Sequence, residues 1–161
     1  MKLKLWAGAS ALTCCLLVQP VVAGQFADAD AAFRRGDYET EFNLFKPLAE
    51  QGDVVAQFSV GWLYEHGRGT SQNYAEAAKW YQLAANQNDI LAQLRLARLY
   101  YEGNGVPQDY VLSHMWFNVA AAQGNIWSES ERDRIAKLMT PNQIAEAQRL
   151  ARAWVAVHPK P

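Results

Sequence analysis

The sequence predicts an all-α fold: an α/α superhelix (solenoid) of about three helix pairs, followed by C-terminal capping helices. Three observations predict it. Tyr74 to Asp89, YAEAAKWYQLAANQND, returns 36 residues later as Tyr110 to Asn125, YVLSHMWFNVAAAQGN. The match extends upstream at the same interval: Ala56-Gln57 on Ala92-Gln93, Leu63-Tyr64 on Leu99-Tyr100, Gly67 on Gly103, and Gly69 on Gly105. Asp37, Asn73 and Asp109, again 36 apart, each precede a tyrosine. A fixed period of this size marks stacked helix pairs. Each pair leaves an apolar face that only its neighbours can cover.

The 161 residues are half apolar, with a formal net charge of −1. That suits one globular unit. No charge excess points to nucleic acid or to an anionic surface.

The first element is a leader. Met1-Lys2-Leu3-Lys4 is a basic start, and Leu5 to Val18 is an apolar run too short for a comfortable membrane span. Pro20 breaks the run, and Val21-Val22-Ala23 offers small residues for a signal peptidase, so cleavage is expected after Ala23. An uncleaved membrane anchor is the alternative. A lipid anchor is disfavoured, because Ala11-Leu12-Thr13 before Cys14 and Cys15 does not form a lipobox. Both cysteines leave with the leader, so the mature chain, 24–161, enters an oxidising compartment with no disulfide and relies on helix packing. Loss of Lys2 and Lys4 leaves 13 basic residues against the 16 acidic, a formal charge of −3.

The mature chain divides into a partial unit (24–53), two full units (54–89 and 90–125) and a C-terminal cap (126–161). In the partial unit, Gln25 to Arg35 reads as a short helix that Gly36-Asp37 interrupts. Asp37, Asn73 and Asp109 read as N-caps, since their side-chain oxygens accept a backbone N–H left free in the first turn. Pro47 lies inside the helix that starts at Tyr38, where a kink is expected.

In the second unit Ala56, Val60, Leu63 and Tyr64 follow helical spacing, and Gly67 and Gly69 stop that helix. Ala77, Ala78, Trp80, Tyr81, Ala84 and Ala85 give the next helix a wide apolar stripe. Trp80 and Trp116 are expected in corresponding buried slots. After Asn125, Ser128 with Glu131 reads as a capping box, and the helix it starts continues over Arg132 to Met139. Thr140-Pro141 with Gln143 starts the last helix, whose apolar face is Ile144, Ala147, Leu150, Ala151 and Trp154.

The runs AQFSVGWLYEHGRG and AQLRLARLYYEGNGVPQDY, each followed by WY or WF, then AA, then Q with Gly or Asn, resemble Sel1-like repeats. These are 36-residue relatives of the tetratricopeptide repeat. The tail MTPNQIAEAQRLARAW is similar to the closing segment of bacterial, exported members. The resemblance implies an α/α superhelix used for protein–protein contact, without implying one activity. A cysteine-rich secreted branch of the family is linked to β-lactam binding. That branch carries a disulfide in each repeat, and the mature chain expected here has no cysteine to form one.

Nothing in the pattern demands catalysis. His66, His114 and His158 are scattered, with no partner at metal-ligand spacing. Ser113 and His114 are adjacent on a helix and point different ways, so they do not form a nucleophile–base pair. Gly67-Arg68-Gly69 and Gly103-Asn104-Gly105 lack the strand and spacing of a phosphate loop and serve as helix–helix turns. Glu129 and Glu131 sit in a helix first turn, where the dipole favours negative charge. No cofactor and no metal are expected.

The resemblance implies that the first helix of each unit lines a concave side. Positions on those helices outside the repeat pattern are the candidates for partner binding: Ser59, Trp62 and His66, then 36 residues on Arg95, Arg98 and Glu102, with Tyr101 beside them. Each triplet steps by three and then four and so lies on one face. Trp with Arg is the composition of an interface anchor. The alternative is that Arg95 and Arg98 are a solvated face and Trp62 packs on the N-terminal unit.

The expectation is a non-enzymatic periplasmic or secreted scaffold that holds a protein partner, with no nucleic acid and with an envelope complex as a setting. Two other readings stand beside it: a periplasmic immunity protein that neutralises a secreted toxin, and a hydrolase acting on a β-lactam or cell-wall substrate.

Overall fold

A computed structural model describes residues 15–158, with side chains from Gly24 onward. Eight helices and no strand occur among the described residues. They are α1 (Cys15–Arg35), α2 (Tyr38–Glu50), α3 (Val54–His66), α4 (Tyr74–Asn86), α5 (Ile90–Glu102), α6 (Tyr110–Ala122), α7 (Ile126–Ala136) and α8 (Pro141–Val157). From α1 to α7 each helix packs on the next, and α8 folds back onto α6.

The period in the sequence is a period of helix ends. Asp37 accepts from the Thr40 amide, Asn73 from Ala75 and Glu76, and Asp109 from Leu112. A second series caps the other helix of each pair: Asp53 accepts from Ala56, Asp89 from Ala92 and Asn125 from Ser128. Gly67 and Gly103 close α3 and α5 in the left-handed conformation.

Gly69 and Gly105 do something further. A Cβ on Gly69 would fall 2.0 Å from the Tyr38 carbonyl oxygen, and one on Gly105 would fall 2.2 Å from the Tyr74 carbonyl carbon. Each glycine therefore presses the turn of one unit onto the start of the preceding unit's second helix. A side chain there would push adjacent units apart.

Two buried glutamines join the units as well. Gln57 Nε2 donates to the Ala49 carbonyl at 3.2 Å and Gln93 Nε2 to the Ala85 carbonyl at 3.3 Å. Gln57 and Gln93 in turn accept from Gln87 and Gln123, both at 2.8 Å. Polar groups at the unit boundary are thus satisfied inside the stack.

Burial falls into two clusters. One joins Ala29 with Phe45, Leu48, Ala49, Ala56 and Val60, and the larger one runs from Ala77 on α4 to Ala151 on α8. Ala77, Ala84, Ala85, Ala92 and Ala97 are fully buried, which lets α4 and α5 approach closely. On α8, Ala147 and Ala151 are buried while Arg149 and Arg152 stay exposed. The Thr140–Gln143 capping box forms as expected, with Pro141 at the helix start.

Two expectations need correction. The helix expected from Gln25 begins at Cys15, with Pro20 inside it. The expected leader, residues 1–23, lies outside the side chains described, and residues 1–14 lie wholly outside. The helix expected to be capped by Ser128 and to run to Met139 is instead Ile126–Ala136, capped by Asn125. Ser128 is buried and donates its own hydroxyl to Asn125 at 2.9 Å, so Glu131 is beyond the first turn.

The tryptophans also differ. Trp116 is buried under α8, edge-to-face with Trp154 at 5.5 Å, whereas Trp80 is half-buried beside α2 with the Lys46 ammonium 5.1 Å from its ring centre. The cause is the covering element: α8 lies directly on α6, while no helix covers α4 in that way. The slot buried in both units holds Tyr81 and Phe117.

Candidate partner-binding face

The first helices of the pairs, α1, α3, α5 and α7, present a continuous run of clefts. One of about 710 Å³ lies between α1 and α3. Phe26, Asp30 and Phe33 form one wall, Val55, Phe58, Ser59 and Trp62 the other, Glu41 and Phe45 of α2 the floor, and Arg95 of α5 one end. A shallower recess of about 270 Å³ follows, lined by Leu91, Leu94, Arg95, Arg98 and Trp127. A cleft of about 130 Å³ then joins Arg98, Tyr101 and Glu102 to Phe117, Trp127, Glu131 and Arg134.

Ser59 and Trp62 therefore line the large groove with Arg95, and Arg98, Tyr101 and Glu102 line the small cleft. His66 lines neither; its ring stacks on Trp62 at 4.3 Å and its Nδ1 lies 2.9 Å from the Trp62 carbonyl oxygen. Trp62 is half-buried and packed on the N-terminal unit, edge-to-face with Phe33 at 6.3 Å and tilted against Tyr38, also at 6.3 Å. Arg68 adds a cation near the same rings.

Arg95 and Arg98 are not free charges. Both converge on Glu65, at 3.6 and 3.0 Å, and Glu65 is only 4% exposed. The Tyr81 hydroxyl donates to the other Glu65 oxygen at 2.5 Å. Burial and the Glu65 charge push the Tyr81 phenol above its usual range, so it stays a donor at every physiological pH. Arg98 also reaches Glu102 at 3.4 Å. One repeat on, Tyr101 takes the Glu65 position and the Arg134 guanidinium lies 4.5 Å from its ring centre.

Two features of the face escaped the sequence reading. The first is a stripe of exposed apolar side chains one repeat apart: Val55 (52% exposed), Leu91 (55%) and Trp127 (53%). The 36-residue interval was there to find it, together with the second cap series Asp53, Asp89 and Asn125, which places α7 in register. The second feature is Glu41, 4% exposed, whose Oε2 has no hydrogen-bond partner. Burial, reinforced by the nearby charge of Asp30, pushes its carboxyl up to about 7. A glutamate in the first turn of α2 looks in sequence like a helix-dipole residue, so nothing marked it.

On α6, Ser113 and His114 do not form a nucleophile–base pair. The Ser113 hydroxyl donates to the Ala97 carbonyl at 2.7 Å, away from its neighbour His114. His114 is buried with an unpartnered Nδ1, and burial holds its ring below the usual histidine range. Among the described residues no group of three His, Cys, Asp or Glu side chains is placed to hold a metal ion. Along the face apolar side chains are exposed in a row, flanked by arginines already fixed in place.

The family model described as Sel1 repeat matches residues 54–89 and 90–125. A Sel1 repeat protein from Oxalobacter formigenes is 32% identical, covering 70% of this chain and 88% of its own, with a TM-score of 0.62. The chain belongs to the Sel1 repeat family. The Sel1 repeat is a scaffold fold through which proteins contact proteins. A second solved structure, a protective antigen of uropathogenic Escherichia coli strains with an SLR fold, superposes with a TM-score of 0.79 at 28% identity. It covers 84% of this chain and 30% of that one.

Two curated proteins match over shorter stretches. DAP3-binding cell death enhancer 1 of Rattus norvegicus is 41% identical over 44 residues, 27% of this chain and 9% of that protein. The chitin synthase regulator SKT5 of Saccharomyces cerevisiae is 39% identical over 56 residues, 35% of this chain and 8% of that protein. The chain thus spans less than a tenth of the curated relatives it matches.

Proposed function

We propose that this chain is a non-enzymatic adaptor of the cell envelope, exported to the periplasm or secreted, that holds a protein partner along the face of α1, α3, α5 and α7. The observation that carries the reading is the groove of about 710 Å³ continued by the exposed Val55–Leu91–Trp127 stripe. Exposed apolar side chains in a row are a cost in water that a partner would remove. Fixed arginines beside them supply orientation at little entropic expense. The basic, apolar, small-residue order of Met1 to Ala23 supports export. The curated relatives are themselves named for acting on another protein, DAP3 in one case and chitin synthase in the other.

The test uses surface substitutions that leave the core alone. Val55→Arg with Leu91→Arg, in a chain whose helicity and melting are unchanged, is expected to abolish recovery of the partner that the wild-type chain captures from envelope extract. Undiminished capture would contradict the assignment of the face. Turnover of a β-lactam or of cell-wall fragments by the purified chain would contradict the adaptor reading.

A further inference from the structure

Within the groove, one group is chemically unsettled. Glu41 is nearly inaccessible to solvent, yet its Oε2 finds no donor in the fold. A buried carboxylate oxygen with no partner is destabilising, and natural folds keep few of them. The other charges near the groove are already matched: Asp30 pairs with Arg34, and Arg95 shares Glu65. The groove that Glu41 lines is also lined by Phe26, Phe33, Phe45 and Phe58, an aromatic and apolar wall.

We infer that the groove between α1 and α3 receives a lysine or arginine side chain from the partner, with Glu41 as its counter-charge and the phenylalanine wall packing its aliphatic stem. The inference rests on the face being a binding surface and adds the chemistry of the residue it reads. Lysine and arginine have the matching two-part character: a methylene stem suited to apolar walls and a terminal donor suited to the orphaned oxygen. The aromatic rings favour a cation over a neutral group of the same size. An acidic side chain would meet Glu41 and Asp30 and be repelled. A purely apolar one would leave Oε2 unpaired in a drier site than before. The partner segment is therefore a peptide with one basic residue flanked by apolar residues, the latter meeting Val55 and Leu91.

The experiment selects random nine-residue displayed peptides on the immobilised full chain, then measures individual peptides by fluorescence anisotropy. Selected peptides are expected to carry a Lys or Arg between apolar residues. Exchange of that residue for norleucine should weaken binding to the wild-type chain at least tenfold, and to Glu41→Gln less than threefold. The Gln variant removes an unpaired carboxylate and should fold at least as well, which circular dichroism checks. Equal binding of Lys and norleucine peptides to the wild-type chain would overturn the inference, as would unchanged discrimination by Glu41→Gln. Selected peptides that bind through Val55 and Leu91 but carry no basic residue would overturn this inference alone. Peptides that bind Val55→Arg as well as wild type would overturn the face itself.

Discussion

Glu65 on α3 and Arg98 on α5 meet at 3.0 Å, and 36 residues later Tyr101 and Arg134 occupy the same two positions as a ring and a cation 4.5 Å apart. The first pair is a buried carboxylate that must be fully satisfied, which Tyr81 does from within its own unit. The second needs no such donor, and the residue matching Tyr81 is Phe117. The repeat keeps the geometry of an arginine crossing from one unit to the next and changes the chemistry that receives it.

Glu65→Ala should therefore be costly. It strands the Tyr81 hydroxyl in the core and removes the anchor of two arginines, and breaking a buried pair in this way costs roughly 3–5 kcal/mol. Arg98→Ala should cost less, because Arg95 and Tyr81 still serve Glu65. Urea unfolding of both variants checks the order, and a Glu65→Ala cost under about 1 kcal/mol would contradict the network.

Gly61 and Tyr81 should be coupled. A Cβ on Gly61 would sit 2.8 Å from two carbons of the Tyr81 ring, which is fully buried and held by Glu65. Gly61→Ala should cost about 1–3 kcal/mol as an overpacked core substitution. In a Tyr81→Phe background the ring is released from Glu65 and can shift, as in the next unit, where Ala97 and Phe117 hold the matching positions. A double-mutant cycle should show a smaller Gly61→Ala cost there.

Glu41 should give stability a pH dependence of unusual sign for a carboxylate. Its carboxyl titrates near 4.5 when free and at about 7 when folded. Between these values the folded chain holds a proton that the unfolded chain has released, so stability falls as pH rises from about 4.5 to 7, by roughly 3 kcal/mol. His114 works the other way. Its folded value is depressed by burial, so its contribution is present above pH 6.5 and is lost as pH falls below it. Melting curves of the wild type against Glu41→Gln isolate the first effect: the variant should be the more stable at pH 8 and equal at pH 4.

Trp116→Ala and Trp80→Ala should no longer be equivalent. Loss of the buried Trp116 should cost about 3–5 kcal/mol, and loss of the half-buried Trp80 roughly half that. Equal costs in thermal unfolding would contradict the packing of α8 on α6.

The architecture was legible because its determinants are local and periodic. The caps Asp37, Asn73 and Asp109 and the turn residues Gly69 and Gly105 each act within a few residues or at one fixed contact, so the 36-residue spacing displays them. The start of α7 was missed for a local reason: Ser128 and Glu131 have the spacing of a capping box, and Asn125 captures the Ser128 amide first. The burial of Trp80 against Trp116 could not be read from the repeat, because α8, outside the repeat, decides it. On the face, helical spacing grouped Ser59, Trp62, Arg95 and Arg98, whose neighbourhood the structure shows. The spacing could not reveal that Glu65 occupies both arginines or that Glu41 is left without a donor, since those contacts join residues on different helices.

The central claim is that the face of α1, α3, α5 and α7 holds the partner. A photo-crosslinking residue placed at Leu91 on that face, compared with one at Leu83, exposed on α4, tests it most directly. The account predicts a single crosslinked partner from position 91 and none from position 83. Crosslinking from position 83 with none from position 91 would contradict it.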